Sequence, residues 1–163
     1  MKTIYLIRHA KSDWGADVDD FDRPLNDRGK RDAPVMARRL KLRNVDIDAF
    51  VSSPAKRALK TAKIFAAEFS LQHEQIVQIP ELYMAPAATF YSFLESLDNS
   101  LSSVLIFSHN NGITEFANSL GIARIDNMPT CSVFAFTVEA ESWVQIRTAL
   151  KQFIFFDYPK NVT

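Results

Sequence analysis

Short apolar runs alternate with segments of helical periodicity along most of this chain, and that alternation constrains the fold more than any other feature. Residues 2–7 contain Ile4-Tyr5-Leu6-Ile7, a run of the length expected for a buried strand. Residues 13–28 are polar and aspartate-rich, which predicts a loop. Ala33, Met36, Ala37 and Leu40 then recur at i, i+3, i+4 and i+7. Pro34 means that this helix either begins there or is kinked. Residues 47–51 predict a second strand, and Ser52-Ser53-Pro54 predicts a helix start with Ser53 as N-cap and Pro54 as first helical residue. Ala55, Ala58, Leu59, Ala62, Phe65, Ala66 and Phe69 continue as one buried stripe. A strand at 75–79, a helix near 87–97, a strand at 103–107 and a helix facing inward through Ile113, Phe116, Ala117 and Leu120 complete the pattern.

Such alternation predicts a three-layer α/β/α fold with a mostly parallel central sheet and helices on both faces. The end of the chain differs. Residues 131–138 and 142–149 read as successive strands around Glu139-Ala140-Glu141, an antiparallel hairpin at the sheet edge, while 150–158 are aromatic and give no clear assignment.

At 163 residues, without repeats or a linker-like stretch, the chain is expected to form one domain over 1–163. Its 19 basic and 19 acidic side chains balance, so no global field draws it to nucleic acid or membrane. Any anion site must therefore be local. One cysteine, Cys131, excludes an intramolecular disulfide, and no Cys/His set has zinc spacing. No apolar run approaches ~20 residues, and the first residues lead directly into a strand. A cytoplasmic location is the expectation.

Three strand–loop junctions carry the chemistry. Arg8-His9 follows the first strand, His109 follows the strand at 103–107, and Arg57 falls in the opening turns of the second helix. Ligands of open α/β sheets bind at the carboxyl ends of strands. An arginine near a helix N-terminus opposes the macrodipole unless an anion lies between them. Two guanidiniums can grip a tetrahedral oxyanion through charge-assisted, bidentate hydrogen bonds. A neutral imidazole can attack phosphorus and split one displacement into two. With cations supplied this way, phosphoryl transfer requires neither a metal nor another cofactor.

The same residues carry a family resemblance. Arg8-His9-Ala10-Lys11-Ser12 resembles the Arg-His-Gly-x-Ser opening of the histidine phosphatase (phosphoglycerate mutase-like) superfamily. Ser52-Ser53-Pro54 through Arg57-Ala58 and Thr61-Ala62 is similar to its second arginine motif, and Ser108-His109-Asn110 to its Gly-His-Asn motif. The short length, Asp22-Arg23-Pro24-Leu25 and Leu82-Tyr83-x-Ala85 point to the SixA-like phosphohistidine phosphatase branch. The resemblance implies the phosphoglycerate mutase-like fold, with His9 as nucleophile and Arg8, Arg57 and His109 clamping the phosphoryl group. Ser12 is a candidate further phosphate contact, and Lys11 a source of positive potential at the rim.

Two small residues, Ala10 and Ser108, replace the family's glycines. A larger departure concerns the general acid. Phosphomonoesterase branches commonly place a glutamate two residues after a leucine, and counting from Leu82 reaches Met84, whose thioether has no proton to give. Glu81 is the nearby, misregistered candidate. An alkoxide leaving group needs a proton, whereas a phosphorylated imidazole can depart with its ring already protonated. The sequence therefore points to a metal-independent phosphatase acting on phosphohistidine in a signalling or phosphotransfer protein. A general phosphomonoesterase of small metabolites, with Glu81 or an Asp from 13–22 as acid, is the alternative, and a non-catalytic phospho-ligand module is a third. A mutase fits less well in so short a chain. Oligomeric state is not specified.

Other features are discounted. Cys131 lacks the arginine of a Cys-x5-Arg loop and reads as a buried strand cysteine. Asp46 and Asp48 lie at the entry of their strand and not after one, which argues against an aspartyl-phosphate. Asp17, Asp19, Asp20 and Asp22 lack the pattern of a calcium loop and read as a solvated acidic lid. His73 reads as exposed, Trp14 as a residue of the site's mouth, and Trp143 as core on a late strand.

Overall fold

The structure is a computed structural model, and it describes residues 1–15 and 17–162. Ala16, in the predicted acidic loop, and Thr163, the last residue of the predicted domain, lie outside the described residues. Among the described residues the six strands are β1 (Lys2–Arg8), β2 (Ala49–Ser52), β3 (Ile76–Gln78), β4 (Ser103–Ser108), β5 (Val133–Val138) and β6 (Lys151–Asp157), and the four α-helices are α1 (Asp27–Lys41), α2 (Lys56–Glu68), α3 (Ala87–Glu95) and α4 (Gly112–Ser119).

They form one sheet in the order β3-β2-β4-β1-β5-β6. The strands β3, β2, β4 and β1 pair in parallel, while β5 and β6 join antiparallel beside β1. The pleat sends alternate residues to opposite faces. Ile4, Leu6, Val104 and Ile106 pack with Phe90 and Leu94 of α3 and with Ile113 and Phe116 of α4. Tyr5, Ile7, Leu105 and Phe107 pack with Met36 and Leu40 of α1 and with Ala62 and Phe65 of α2. The inner strands β1 and β4 are thus buried on both faces, as their unbroken apolar runs require, while Val77 on the edge strand β3 is exposed. This is the predicted three-layer architecture. No helix of the described residues is long and apolar enough to cross a membrane.

Several boundaries shift for identifiable reasons. Helix α1 starts at Asp27, inside the predicted loop, because the Asn26 side chain accepts a hydrogen bond from Gly29 N–H at 2.9 Å and caps it. Pro34 consequently lies within the helix. Ser53 is not an N-cap: the cap position is Ala55, the helix proper begins at Lys56, and Ser53 Oγ accepts from Ala55 N–H at 3.2 Å and pairs with His109 Nε2. The predicted strand at 142–149 is a correction. Ser142 and Gln145 form a capping box around a short 3-10 turn, and buried Trp143 donates its indole N–H to Leu101 O at 3.0 Å. The hairpin's second strand is instead β6, within the segment that gave no assignment. Cys131 is buried but precedes β5 in a turn with φ of 62°, so it is not a strand residue.

Candidate active site

The sheet order explains how distant motifs meet. Strand β4 lies between β1 and β2, with Arg8 paired to Ser108 and Ser52 to Phe107. His9, Ser53 and His109 each follow one of these strands, so all three emerge at the same edge of the sheet. Their hollow, about 130 Å³ in volume, is lined among others by Arg8, His9, Arg57 and His109.

His9 is buried, and its Nδ1 lies 2.7 Å from Ala10 O. A carbonyl only accepts, so that contact places the ring hydrogen on Nδ1 and leaves a lone pair on Nε2. Arg57 Nε donates to this Nε2 at 3.3 Å. Burial, together with the neighbouring His109, Arg57 and Arg8, pushes the His9 pKa well below its ordinary value and keeps the ring neutral. Thr61 secures the loop: its hydroxyl accepts from Ala10 N–H at 3.0 Å and donates to Arg57 O at 2.7 Å.

The residues expected to clamp a phosphoryl group line the same hollow. Arg57 is 1% exposed, Arg8 donates from Nη1 to Met128 O, and Arg8 Nε is a buried donor without a partner among the described residues. His109 Nε2 shares a 2.7 Å hydrogen bond with Ser53 Oγ, while its Nδ1 is buried and unpartnered. Burial and then Arg57 lower the His109 pKa to about 3. The two imidazoles lie with ring centroids 5.2 Å apart. Buried donors without partners are rare because each carries a desolvation cost. Where Ser53 Oγ donates to His109 Nε2, Nδ1 carries the ring hydrogen, and an oxyanion between the rings and guanidiniums would satisfy both it and Arg8 Nε.

The secondary candidates divide. Lys11 and Ser12 line the hollow, but Ser12 Oγ is already engaged by Arg23 Nη1 at 2.6 Å. Glu81 does not line it: Glu81 borders a separate hollow with Ile79, Thr89 and Phe93, whereas Met84 faces the site with its sulfur 3.8 Å from Arg57 Nη2. Trp14 is at the mouth as expected, 74% exposed and stacked on Arg23 at 3.5 Å.

Asp20 corrects the reading of the aspartate-rich segment as merely solvated. A 3-10 turn at Asp20–Asp22 brings its carboxylate into the hollow. Oδ2 accepts from Tyr83 OH at 2.6 Å and Arg57 Nη2 at 3.0 Å, and Oδ1 accepts from Arg23 Nε at 3.1 Å. Arg57 Nη1 also donates to Asp20 O at 2.6 Å. The hydrogen bond from Tyr83, with those from Arg57 and Arg23, lowers the Asp20 pKa to about 2. Phe21 packs edge-on against Tyr83, which packs edge-on against His109. Sequence reasoning offered an Asp from 13–22 at the site without singling out Asp20, and it missed Tyr83 and the role of Arg23, since nothing local ties Asp20 to Arg57. The one available signal was the unfavourable cation at the start of α2.

Comparisons with known proteins bear on the family and the fold. The pattern of the histidine phosphatase superfamily (branch 1) matches residues 4–88, just over half of the chain. An uncharacterised chloroplastic protein of Arabidopsis thaliana is 28% identical over 151 residues, covering 87% of this chain and 69% of that protein. A SixA structure from Agrobacterium tumefaciens, named for phosphohistidine phosphatase, superimposes with a TM-score of 0.80 at 26% identity, covering 97% of this chain and 99% of that one. A SixA protein histidine phosphatase complexed with tungstate gives a TM-score of 0.82 at 23% identity, covering 98% of each chain, and shows the shared fold.

Proposed function

The chain belongs to the histidine phosphatase superfamily, branch 1, with a SixA-like fold, and on that premise we propose that it removes phosphoryl groups from protein-borne phosphohistidine. His9 Nε2 attacks phosphorus, the phosphorus–nitrogen bond of the substrate breaks, and its electron pair returns to the departing imidazole. Water then displaces His9 and releases phosphate. Arg8, Arg57 and His109 hold the phosphoryl oxygens, and Arg23 adds a further positive charge in the lining. The neutralisation a metal would provide is thus supplied by side chains, which supports metal-independent turnover.

One observation carries the choice of substrate: an unprotonated nucleophile in a cationic clamp, with no protonated carboxyl group beside it among the described residues. Among the described residues Asp20 is the one carboxyl group in the lining, and its hydrogen bonds hold it ionised. An alkoxide would leave unaided, at a cost of roughly 10²–10⁴-fold in rate. A protonated imidazole leaves as a neutral ring. The small volume of the hollow adds support. At about 130 Å³ it falls below the roughly 300–1,000 Å³ of drug-sized ligand pockets. It suits a phosphoryl group whose carrier stays outside.

The test is phosphate release from a phosphohistidine-bearing protein in the presence of EDTA, wild type beside His9→Ala. Release by the wild type alone is the expected result. Release abolished by EDTA, or retained by His9→Ala, would refute the mechanism, and no release by either would favour a binding module.

A further inference from the structure

The fork of Arg57 is occupied in an instructive way. Its two parallel donors, Nε and Nη2, are those that would grip two oxygens of one phosphoryl group. Nε points at His9 Nε2 and Nη2 at Asp20 Oδ2. A phosphoryl group seated on that fork lies with the nucleophile at one end and the Asp20 carboxylate at the other. The Asp20 carboxylate does not rest on Nη2 alone, because Tyr83 OH before α3 and Arg23 Nε at the end of its own turn also hold it, while Arg57 Nη1 keeps its backbone. Once phosphoryl oxygens take Nη2, Asp20 Oδ2 has a free lone pair facing the group that departs.

Building on the function proposed above, we infer that Asp20 is the leaving-group selector of the site: its carboxylate accepts the ring N–H of the protonated phosphoimidazole. The substrate imidazole carries phosphorus on one nitrogen and a proton on the other, and that proton is the one Asp20 binds. As His9 Nε2 forms its bond to phosphorus, the old phosphorus–nitrogen pair becomes a lone pair on the leaving nitrogen. The ring departs neutral with its proton in place, so Asp20 neither gains nor loses one. The same carboxylate repels the oxyanion of a departing phenol or alcohol and has no proton to offer it. The charged and titratable groups facing Asp20 are Arg57 from α2, Arg23 beyond its own turn and Tyr83 before α3, with His109 behind Tyr83.

The test compares kcat/KM for N-phosphorylimidazole and p-nitrophenyl phosphate in wild type, Asp20→Asn and Asp20→Glu. Because kcat/KM reports the first displacement, it reads departure of the leaving group directly. In Asp20→Asn the phosphorylimidazole value is expected to fall about tenfold or more while the aryl phosphate value rises. Loss of an opposite charge should also shift down by about one unit the descending limb of the single-turnover rate at saturating phosphorylimidazole, which reports the bound substrate. Asp20→Glu should keep the wild-type preference, and Asp20→Ser, read the same way as Asp20→Asn, guards against a folding defect specific to one substitution. Equal losses on both substrates would overturn the inference and reduce Asp20 to a support for the pocket. A larger loss on the aryl ester would overturn it by making Asp20 a proton donor. If the variants leave substrate preference and pH limb unchanged while wild type hydrolyses phosphorylimidazole, the inference alone fails. If wild type hydrolyses only the aryl ester, the proposed function fails with it.

Discussion

At the scale of single residues, the site is built around the edge of one guanidinium. Arg57 touches His9, the proposed nucleophile, as well as the Asp20 carboxylate and the backbone of the 3-10 turn, all while 1% exposed. Its position near the positive end of α2 is unfavourable alone, and Asp20 now accounts for part of the compensation. Replacing Arg57 removes a donor that strengthens as charge develops on the phosphoryl oxygens. Arg57→Ala is expected to lower kcat about 10²–10³-fold on either substrate class, measured by steady-state phosphate release. A variant within a few-fold of wild type would show that Arg57 serves Asp20 rather than the reaction.

At the scale of elements, the parallel strands and their helices were legible because burial on both faces leaves uninterrupted apolar runs and burial on one helix face leaves a 3.6-residue stripe. His9 and His109 were legible for the same reason, since each follows a recognisable strand. The second hairpin strand was not. Phe153 and Ile154 are partly exposed, Phe155 and Phe156 pack on opposite faces, and a register shift between Ala135 and Phe136 disturbs the pairing, so β6 shows no clean alternation. Asp20 was illegible because its partners, Arg57 and Tyr83, are 37 and 63 residues away. The start of α4, close behind His109, offers a test of how tightly the elements fit. A Cβ on Gly112 would stand 1.6 Å from Ala85 O, which is backbone and cannot swing away. Gly112→Ala is therefore expected to destabilise the fold by about 1–3 kcal/mol, read by denaturant unfolding, despite alanine's better helix propensity. An unchanged or raised midpoint would contradict the close approach of α4 to the segment before α3.

At the scale of the whole molecule, two neutral buried imidazoles couple the site to global stability. The unfolded chain protonates both near the ordinary value of 6.5, whereas the folded molecule keeps His109 neutral to about pH 3 and His9 neutral well below 6.5. The unfolded state binds more protons throughout that window. Stability is therefore full above 6.5 and drains as pH falls, by up to about 1.4 kcal/mol per pH unit for each ring. Asp20 acts in the same sense lower down, its contribution being present above 3.8 and lost toward pH 2. Thermal unfolding should give a nearly flat Tm at neutral pH and a decline below 6.5 that is shallower in His109→Gln. An identical slope in that variant would mean that His109 is not held neutral by the fold. Bound inorganic phosphate should offset the decline, because an anion between the rings favours their protonated forms.

The central claim is that the reaction passes through a covalent bond at His9. The direct measurement is rapid quenching at alkaline pH during turnover of a phosphohistidine-bearing protein, followed by mass spectrometry of the enzyme's peptides. An acid-labile phosphoryl group on His9, appearing before free phosphate and absent in His9→Ala, is the predicted result. Phosphate release with no phosphorylated His9 at any time, or with the label on His109 instead, would contradict it.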